Sequence, residues 1–270
     1  MSCTPLPVAL RPGRRDPSRR VNARKLGVYT VNLKIVKQGS CTVDPGNMAS
    51  GVDVSLKYQL GIGGGSTVTL VREGTDVLLA DTGYDCESDL SPANDETNWR
   101  SLEGQLKFHR VAARDITRVF ITHFHRDHFG GIEHFEHAHW YCHPIARDRL
   151  PAPLKDKFIP VDNGGQLMRN TRVLHTPGHT EGHASVLWTD DARLVRFAIC
   201  GDAILSLAWL MSGYTWKFNA DFYNLESAQA SAAKLLASAD LLIPGHGQPF
   251  FARTVTLFER GEVAAQPDGG

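Results

Sequence analysis

The chain lacks the pairings that announce a disulfide-stapled or zinc-ribbon fold. Its five cysteines, Cys3, Cys41, Cys86, Cys142 and Cys200, are dispersed, and no two form a Cys-x-x-Cys pair. An odd, scattered set reads as free thiols in a reducing compartment, so a cytoplasmic location is expected. No apolar run approaches transmembrane length, and no membrane is expected as a partner. There is no excess of either charge, since 29 Lys and Arg balance 29 Asp and Glu. Without a global basic field, nucleic acid is not the favoured partner; a small-molecule substrate is, and a homodimer is compatible with it. There is no internal repeat and no internal linker. The run Gly61–Gly65 lacks the Gly-Lys-Ser/Thr ending of a phosphate loop, and no helical pattern follows it, so it reads as a flexible turn.

What remains is ordinary globular composition. The 270 residues are 42% hydrophobic and 21% charged, enough chain for a substantial core. Residues 1–25 stand apart. Arg11, Arg14, Arg15, Arg19, Arg20, Arg24 and Lys25 face a single acid, Asp16. No apolar segment follows the arginine pairs, so an export signal is not indicated, and a disordered basic tail is expected over 1–25. The folded domain is expected over 26–255, with a C-terminal tail over 256–270.

Several short segments carry strand patterns. Residues 27–37 alternate, and Thr67–Arg72 and Val77–Ala80 read as a hairpin around Glu73-Gly74-Thr75. Thr117–Thr122 has the character of a buried strand, as do residues 172–176, 184–188, Leu194–Cys200 and Leu241–Pro244. Helical spacing predicts a helix within 97–112, and Asn224 is placed to cap an alanine-rich helix over Leu225–Ser238. Strands and helices in alternation, with polar motifs at strand ends, indicate a layered α/β architecture.

The strongest chemical signal is His123-Phe124-His125-Arg126-Asp127-His128, directly after an apolar strand. Residues two apart in extended chain point the same way, so His123 and His125 can grip one ion while Asp127 and His128 face a second. Imidazole and carboxylate suit Zn²⁺, and Fe or Mn accept them too. Three further fragments place a ligand type at a strand end: His179 in Thr-Pro-Gly-His-Thr, Asp202 in Cys-Gly-Asp, and His246 in Pro-Gly-His-Gly. A second histidine-rich stretch, His134, His137, His139 and His143, runs through a helix end and a strand, so its rings are expected to point in several directions. They are read as solvated or hydrogen-bonded histidines.

Taken in order, these motifs resemble the metallo-β-lactamase superfamily over roughly residues 28–252. Asp81 in Asp-Thr-Gly matches the first motif, His123, His125, Asp127 and His128 the second, His179 the third, Asp202 the fourth and His246 the fifth. The resemblance implies a four-layer αββα sandwich of two similar halves, with the site along one edge. It implies one metal on His123, His125 and His179, a second on Asp127, His128 and His246, and Asp202 bridging both. Asp81 would support the ligands from behind; apart from the resemblance, His183 lies close after His179 and is a candidate for the same supporting role. Two divalent ions would turn a shared water into hydroxide at neutral pH, with Asp127 or Asp202 taking part in proton transfer.

Within the family, both Asp202 and His128 are present, which disfavours a true β-lactamase; His125 stands where flavodiiron proteins carry Glu. Leu205 stands where acyl-homoserine lactonases often place Tyr, and 24 residues follow His246, fewer than the helical domain of glyoxalase II requires. The expectation is a dinuclear hydrolase of an ester, thioester or lactone. The alternatives are a phosphodiesterase or nuclease of the same fold and a mononuclear-iron persulfide dioxygenase. The aromatic stretch after Asp202, with Tyr214 and Trp216, is a candidate substrate wall, and Lys217 a candidate anion contact.

Overall fold

The computed structural model describes residues 32–40, 65–84, 92–213, 215–217 and 219–259. The expected basic tail, the start of the first strand, most of the glycine run and Tyr214 lie outside these residues. The described part holds two six-stranded sheets. The first runs in the order β1 (Leu33–Lys37), β2 (Val68–Glu73), β3 (Asp76–Ala80), β4 (Arg118–Phe120), β5 (His139–Cys142), β6 (Phe158–Pro160). Its first two pairings are antiparallel and the other three parallel. The second sheet is built from β7 (Gln166–Met168), β8 (Thr171–His175), β9 (Ala184–Asp190), β10 (Val195–Gly201), β11 (Leu241–Pro244) and β12 (Phe250–Phe251), likewise in chain order across the sheet. Only its β10–β11 pairing is parallel.

The continuous apolar character of the strands has a direct cause: both faces of each sheet are covered. Successive residues of β3 divide between two cores, Val77 and Leu79 on one side, Leu78 and Ala80 on the other. Leu78, Ala80 and Phe120 of the first sheet meet Val186, Trp188, Ile199 and Ile243 of the second. Val77, Leu79 and Val119 pack outward against Leu102 and Leu106 of the helix Pro92–Phe108. Ala198, Cys200 and Leu242 pack outward against Leu235 of the helix Leu225–Ser238 and Val255 of the helix Ala252–Glu259. The result is helix, sheet, sheet, helix, the four-layer αββα sandwich. Each fully buried Leu, Ile, Val or Phe contributes roughly 1.5–3 kcal/mol to it.

Boundaries differ from the sequence expectation where tertiary contacts decide them. The helix expected within 97–112 begins earlier, at Pro92, and stops at Phe108, because Arg110 takes a positive φ of 59° that ends the helical path. The strand expected over Thr117–Thr122 is assigned over Arg118–Phe120; Ile121 still donates its amide to the Tyr141 carbonyl at 2.9 Å, and Thr122 turns to Asp81. The last helix, Ala252–Glu259, runs across the boundary expected at residue 255. The Glu73-Gly74-Thr75 hairpin forms, with Gly74 at a φ of 64° in its turn. Asn224 caps as expected, its Oδ1 accepting from the Ser227 amide at 2.8 Å.

One glycine positions the site. Gly178 holds a φ of 142°, and a Cβ added there would lie 2.3 Å from the Ala228 Cα. The loop after β8 can therefore lie directly on the helix Leu225–Ser238. Gly178→Ala is expected to destabilise the fold by more than Asn224→Ala, whose lost cap costs about 1 kcal/mol. Urea denaturation of the two variants checks the order; a smaller loss for Gly178→Ala would show that the helix gives way freely.

Candidate metal centre

Every ligand-type side chain read from the motifs comes from a loop at a strand end. His123 and His125 leave β4, and Asp127 and His128 sit in the short helix Arg126–Phe129 that follows. His179 lies in the loop between β8 and β9, Asp202 follows β10, and His246 follows β11. Among the described residues, two groups have donor atoms close enough to share an ion: His123, His125, His179 and Asp202, and Asp127, His128 and His246, each within 4.8 Å. In the first, His125 Nδ1 is 3.0 Å from both His123 Nε2 and His179 Nε2. In the second, Asp127 Oδ2 is 3.5 Å from His128 Nε2 and 3.3 Å from His246 Nε2.

Asp202 faces both groups with different oxygens. Its Oδ2 is 3.3 Å from His179 Nε2, and its Oδ1 is 3.1 Å from His128 Nε2 and 3.3 Å from His246 Nε2. Two of these inward-facing atoms, His128 Nε2 and Asp202 Oδ1, are buried without a well-formed hydrogen bond. Native interiors leave few such atoms unsatisfied. A donor set of five imidazoles and two carboxylates, with unsatisfied atoms aimed into one space, fits divalent cations of the Zn²⁺ type.

The tautomers follow from the hydrogen bonds behind the donors. Asp81 accepts at Oδ1 from the Thr122 amide at 2.8 Å and at Oδ2 from the Thr122 hydroxyl at 2.9 Å and His128 Nδ1 at 2.8 Å. The Thr122 hydroxyl proton is thereby spent on Asp81, so at 3.1 Å it accepts from His123 Nδ1. Asp81 thus directs Nε2 of His123 into the first group and Nε2 of His128 into the second. Asp81 itself sits at a φ of 61°, a conformation that a side chain other than glycine keeps only under constraint. Thr122 was not singled out from sequence, because a threonine at the end of a strand is unremarkable until its hydroxyl is seen between two polar partners.

A second supporting carboxylate escaped the sequence reading. His125 Nε2 donates to Asp221 Oδ1 at 3.0 Å, leaving Nδ1 to face the first group. Asn219 donates to the same Asp221 oxygen at 2.8 Å and to the His179 carbonyl at 2.9 Å. Both residues lie 90 or more positions along the chain from His125, and no local motif marks them. His183 lies in a different network: its Nδ1 is 2.9 Å from the Thr176 hydroxyl, which reaches the Ser185 hydroxyl at 2.8 Å. Its ring packs beside His123, with centroids 5.1 Å apart.

The electrostatics differ between the groups. Burial holds His123 well below its ordinary value and His179 down to about 4, so both rings keep their lone pairs at neutral pH. Burial acts the same way on His128 and His246, but the carboxylates of Asp202 and Asp127 outweigh it and raise both well above the ordinary value. Burial would raise Asp202, yet His246, His128 and His179 draw it well below the usual carboxylate range. A cation entering the second group therefore competes with the protons that the carboxylates draw onto His128 and His246.

The remaining candidates separate cleanly. His134 stacks on Trp99 with centroids 4.0 Å apart, His137 donates to the Ala113 carbonyl, His139 is exposed, and His143 stacks on His175. None of them joins either donor group. Trp216 contacts Trp209 edge-on, with centroids 6.0 Å apart. Lys217 is exposed and does not line the cavity beside Asp202.

Between residues 61 and 246 the chain matches the metallo-beta-lactamase superfamily. It is 29% identical over 209 residues to metallo-beta-lactamase domain-containing protein 1 of Xenopus laevis, covering 74% of this chain and 76% of that protein. It is 35% identical over 82 residues to a hydroxyacylglutathione hydrolase of Rhodopseudomonas palustris (strain HaA2), a match covering 29% of this chain and only 32% of that enzyme. The fold of AidC, a dizinc quorum-quenching lactonase solved with a homoserine product, superposes with a TM-score of 0.56 at 21% identity, covering 69% of this chain and 74% of that one.

Two substitutions separate the supporting carboxylates. Asp81→Asn is expected to weaken metal binding at both donor groups, by about 10–100-fold each, because it touches His128 directly and holds His123 through the Thr122 hydroxyl. Asp221→Asn is expected to weaken one ion only, since it touches His125 alone. Zinc titration against a chromogenic chelator resolves the two steps; equal losses from both variants would refute the assignment.

Proposed function

Because the chain belongs to the metallo-beta-lactamase superfamily and is a hydrolase of that fold, we propose that it is a dinuclear metal-dependent hydrolase of an ester, thioester or lactone. The metal we propose is Zn²⁺, with Fe or Mn as the alternatives that the same donors accept. His123, His125 and His179 would hold one ion, Asp127, His128 and His246 the other, and Asp202 both. Two such ions supply Lewis acidity and lower the pKa of water from 15.7 toward ~7.

The observation that supports this reading is the divergence of the two Asp202 oxygens, one toward His179 and the other toward His128 and His246. A single carboxylate with its oxygens turned to both donor groups would hold two cations side by side. The chain's own residues then do the rest. Asp127, buried beside His246, is placed to accept a proton from the attacking water and return it to the leaving group. Trp209 and Trp216 keep bulk water from one side of the reacting carbonyl.

A carbonyl substrate is favoured over a phosphodiester by the cavity that adjoins Asp202. No Lys or Arg is among the described residues that line it, whereas a phosphodiester calls for cationic contacts. The thioester and lactone options also have counterparts among the similar proteins, in the hydroxyacylglutathione hydrolase and the lactonase.

Elemental analysis of protein purified without chelator is expected to approach two metal ions per chain. A reproducible single iron with oxygen uptake would replace this reading with the dioxygenase. Asp202→Asn keeps the shape of the side chain but removes the charge that balances two cations. Turnover should fall by about two decades, roughly 3 kcal/mol at ~1.36 kcal/mol per decade, and metal content should drop toward one. The acidic limb of the pH–rate profile should move upward, because hydroxide forms less readily at a single cation. Unchanged metal content with unchanged rate would remove Asp202 from the centre.

A further inference from the structure

A cavity of about 250 Å³ opens beside the donor groups, with His179 and Asp202 at one end. Its walls come from two elements that the metal chemistry does not use. Trp209, in the short helix Leu207–Ser212, and Trp216, after it, form one side. Ala228, Ala232 and Leu236, spaced four apart along the helix Leu225–Ser238, form the other. The volume exceeds the ~150 Å³ apolar cavity that admits benzene, so it holds a sizeable hydrocarbon group.

We propose that this cavity is an acyl subsite, holding the unbranched hydrocarbon chain of a medium-chain acyl substrate with its carbonyl at the His179 and Asp202 end. The inference rests on the hydrolase reading and extends it to a substrate class. Three features support it. The cavity adjoins the donor groups, since His179 and Asp202 are among its lining residues. The described lining carries no Lys, Arg or Glu, and Asp202 is its only acid, so the rest of the lining offers no partner for a charged tail. The leaving alcohols and thiols of acyl carriers bear polar groups, whereas the acyl chain is pure hydrocarbon, and hydrocarbon is what such walls desolvate at no cost. Alanines at 228 and 232 leave open the space that larger residues would fill, which makes position 232 a gauge of chain length.

The test uses the metal-loaded full chain with nitrophenyl esters and thioesters from acetyl through butyryl, hexanoyl and octanoyl to decanoyl. In the wild type, kcat/KM is expected to rise by at least about tenfold from acetyl to the preferred chain, the factor that one or two methylenes are worth in an apolar pocket. In Ala232→Phe that rise should vanish, so that the ratio of octanoyl to acetyl kcat/KM falls at least about tenfold below that of the parent. A binding readout runs in parallel: omega-bromooctanoate, compared with octanoate, should quench tryptophan emission saturably through contact with Trp209 and Trp216, and Ala232→Phe should abolish the effect. If Ala232→Phe does not fold by circular dichroism, Ala232→Val should shorten the preferred chain instead. Quenching without ester turnover would overturn the hydrolase reading and keep the subsite. Ester turnover with no chain-length dependence and no quenching would overturn the subsite and keep the hydrolase. Failure of both readouts would overturn both.

Discussion

The carboxylate of Asp81 is the constraint on which the centre depends. It is 1% exposed, and burial would raise its pKa, yet it takes three hydrogen bonds, two from Thr122 and one from His128. A buried carboxylate is tolerable only when so satisfied. Because Thr122 passes the bond on to His123, one side chain sets a tautomer in each donor group. The same bonds tie the end of β3 to the segment leaving β4, so the geometry of the first sheet is carried directly into the orientation of the rings.

The second sheet supplies the other half, and close backbone approach is what brings it in. Gly245 donates its amide to the Gly201 carbonyl and accepts at its own carbonyl from the Thr67 amide, at 3.0 and 2.7 Å. A Cβ at Gly245 would stand 2.0 Å from Asp202 Oδ1. The glycines flanking Asp202 and His246 are therefore there for space: they let two loops cross where the bridging carboxylate must lie. Gly201 adds a φ of 52°, which turns the chain out of β10 toward the centre. Strained or side-chain-free backbone at Asp81, Gly178 and Gly201 is the conformational cost of converging loops from five strand ends on one point.

The loop after Asp202 joins the centre to the wall of the adjoining cavity. Asp221 holds His125, Asn219 holds the His179 carbonyl, and the Tyr223 amide donates to the Gly178 carbonyl at 3.0 Å. Trp216 lies in the same loop, three residues before Asn219. A carboxylate that orients His125 and a ring that lines the cavity are thus carried on one short stretch, so displacement of either disturbs both.

Much of this was legible in the residue order. Apolar strands closed by short polar motifs, His-x-His-x-Asp-His with isolated His179, Asp202 and His246, were enough for the donor set and the layered fold, because extended chain fixes which neighbours share a face and ligand chemistry restricts the residue types. Asn224 as a cap was legible for the same reason: the bond it makes is local. Thr122, Asp221, Asn219 and Gly245 were not, nor was the alanine face of the helix Leu225–Ser238 as a cavity wall. Their roles arise from contacts between segments tens to more than a hundred residues apart, and a polar or small side chain has no chemical identity of its own until packing decides what stands opposite it. Residue order dictates which side chains can coordinate, whereas the way each ring is turned follows from hydrogen bonds behind it that form only on packing.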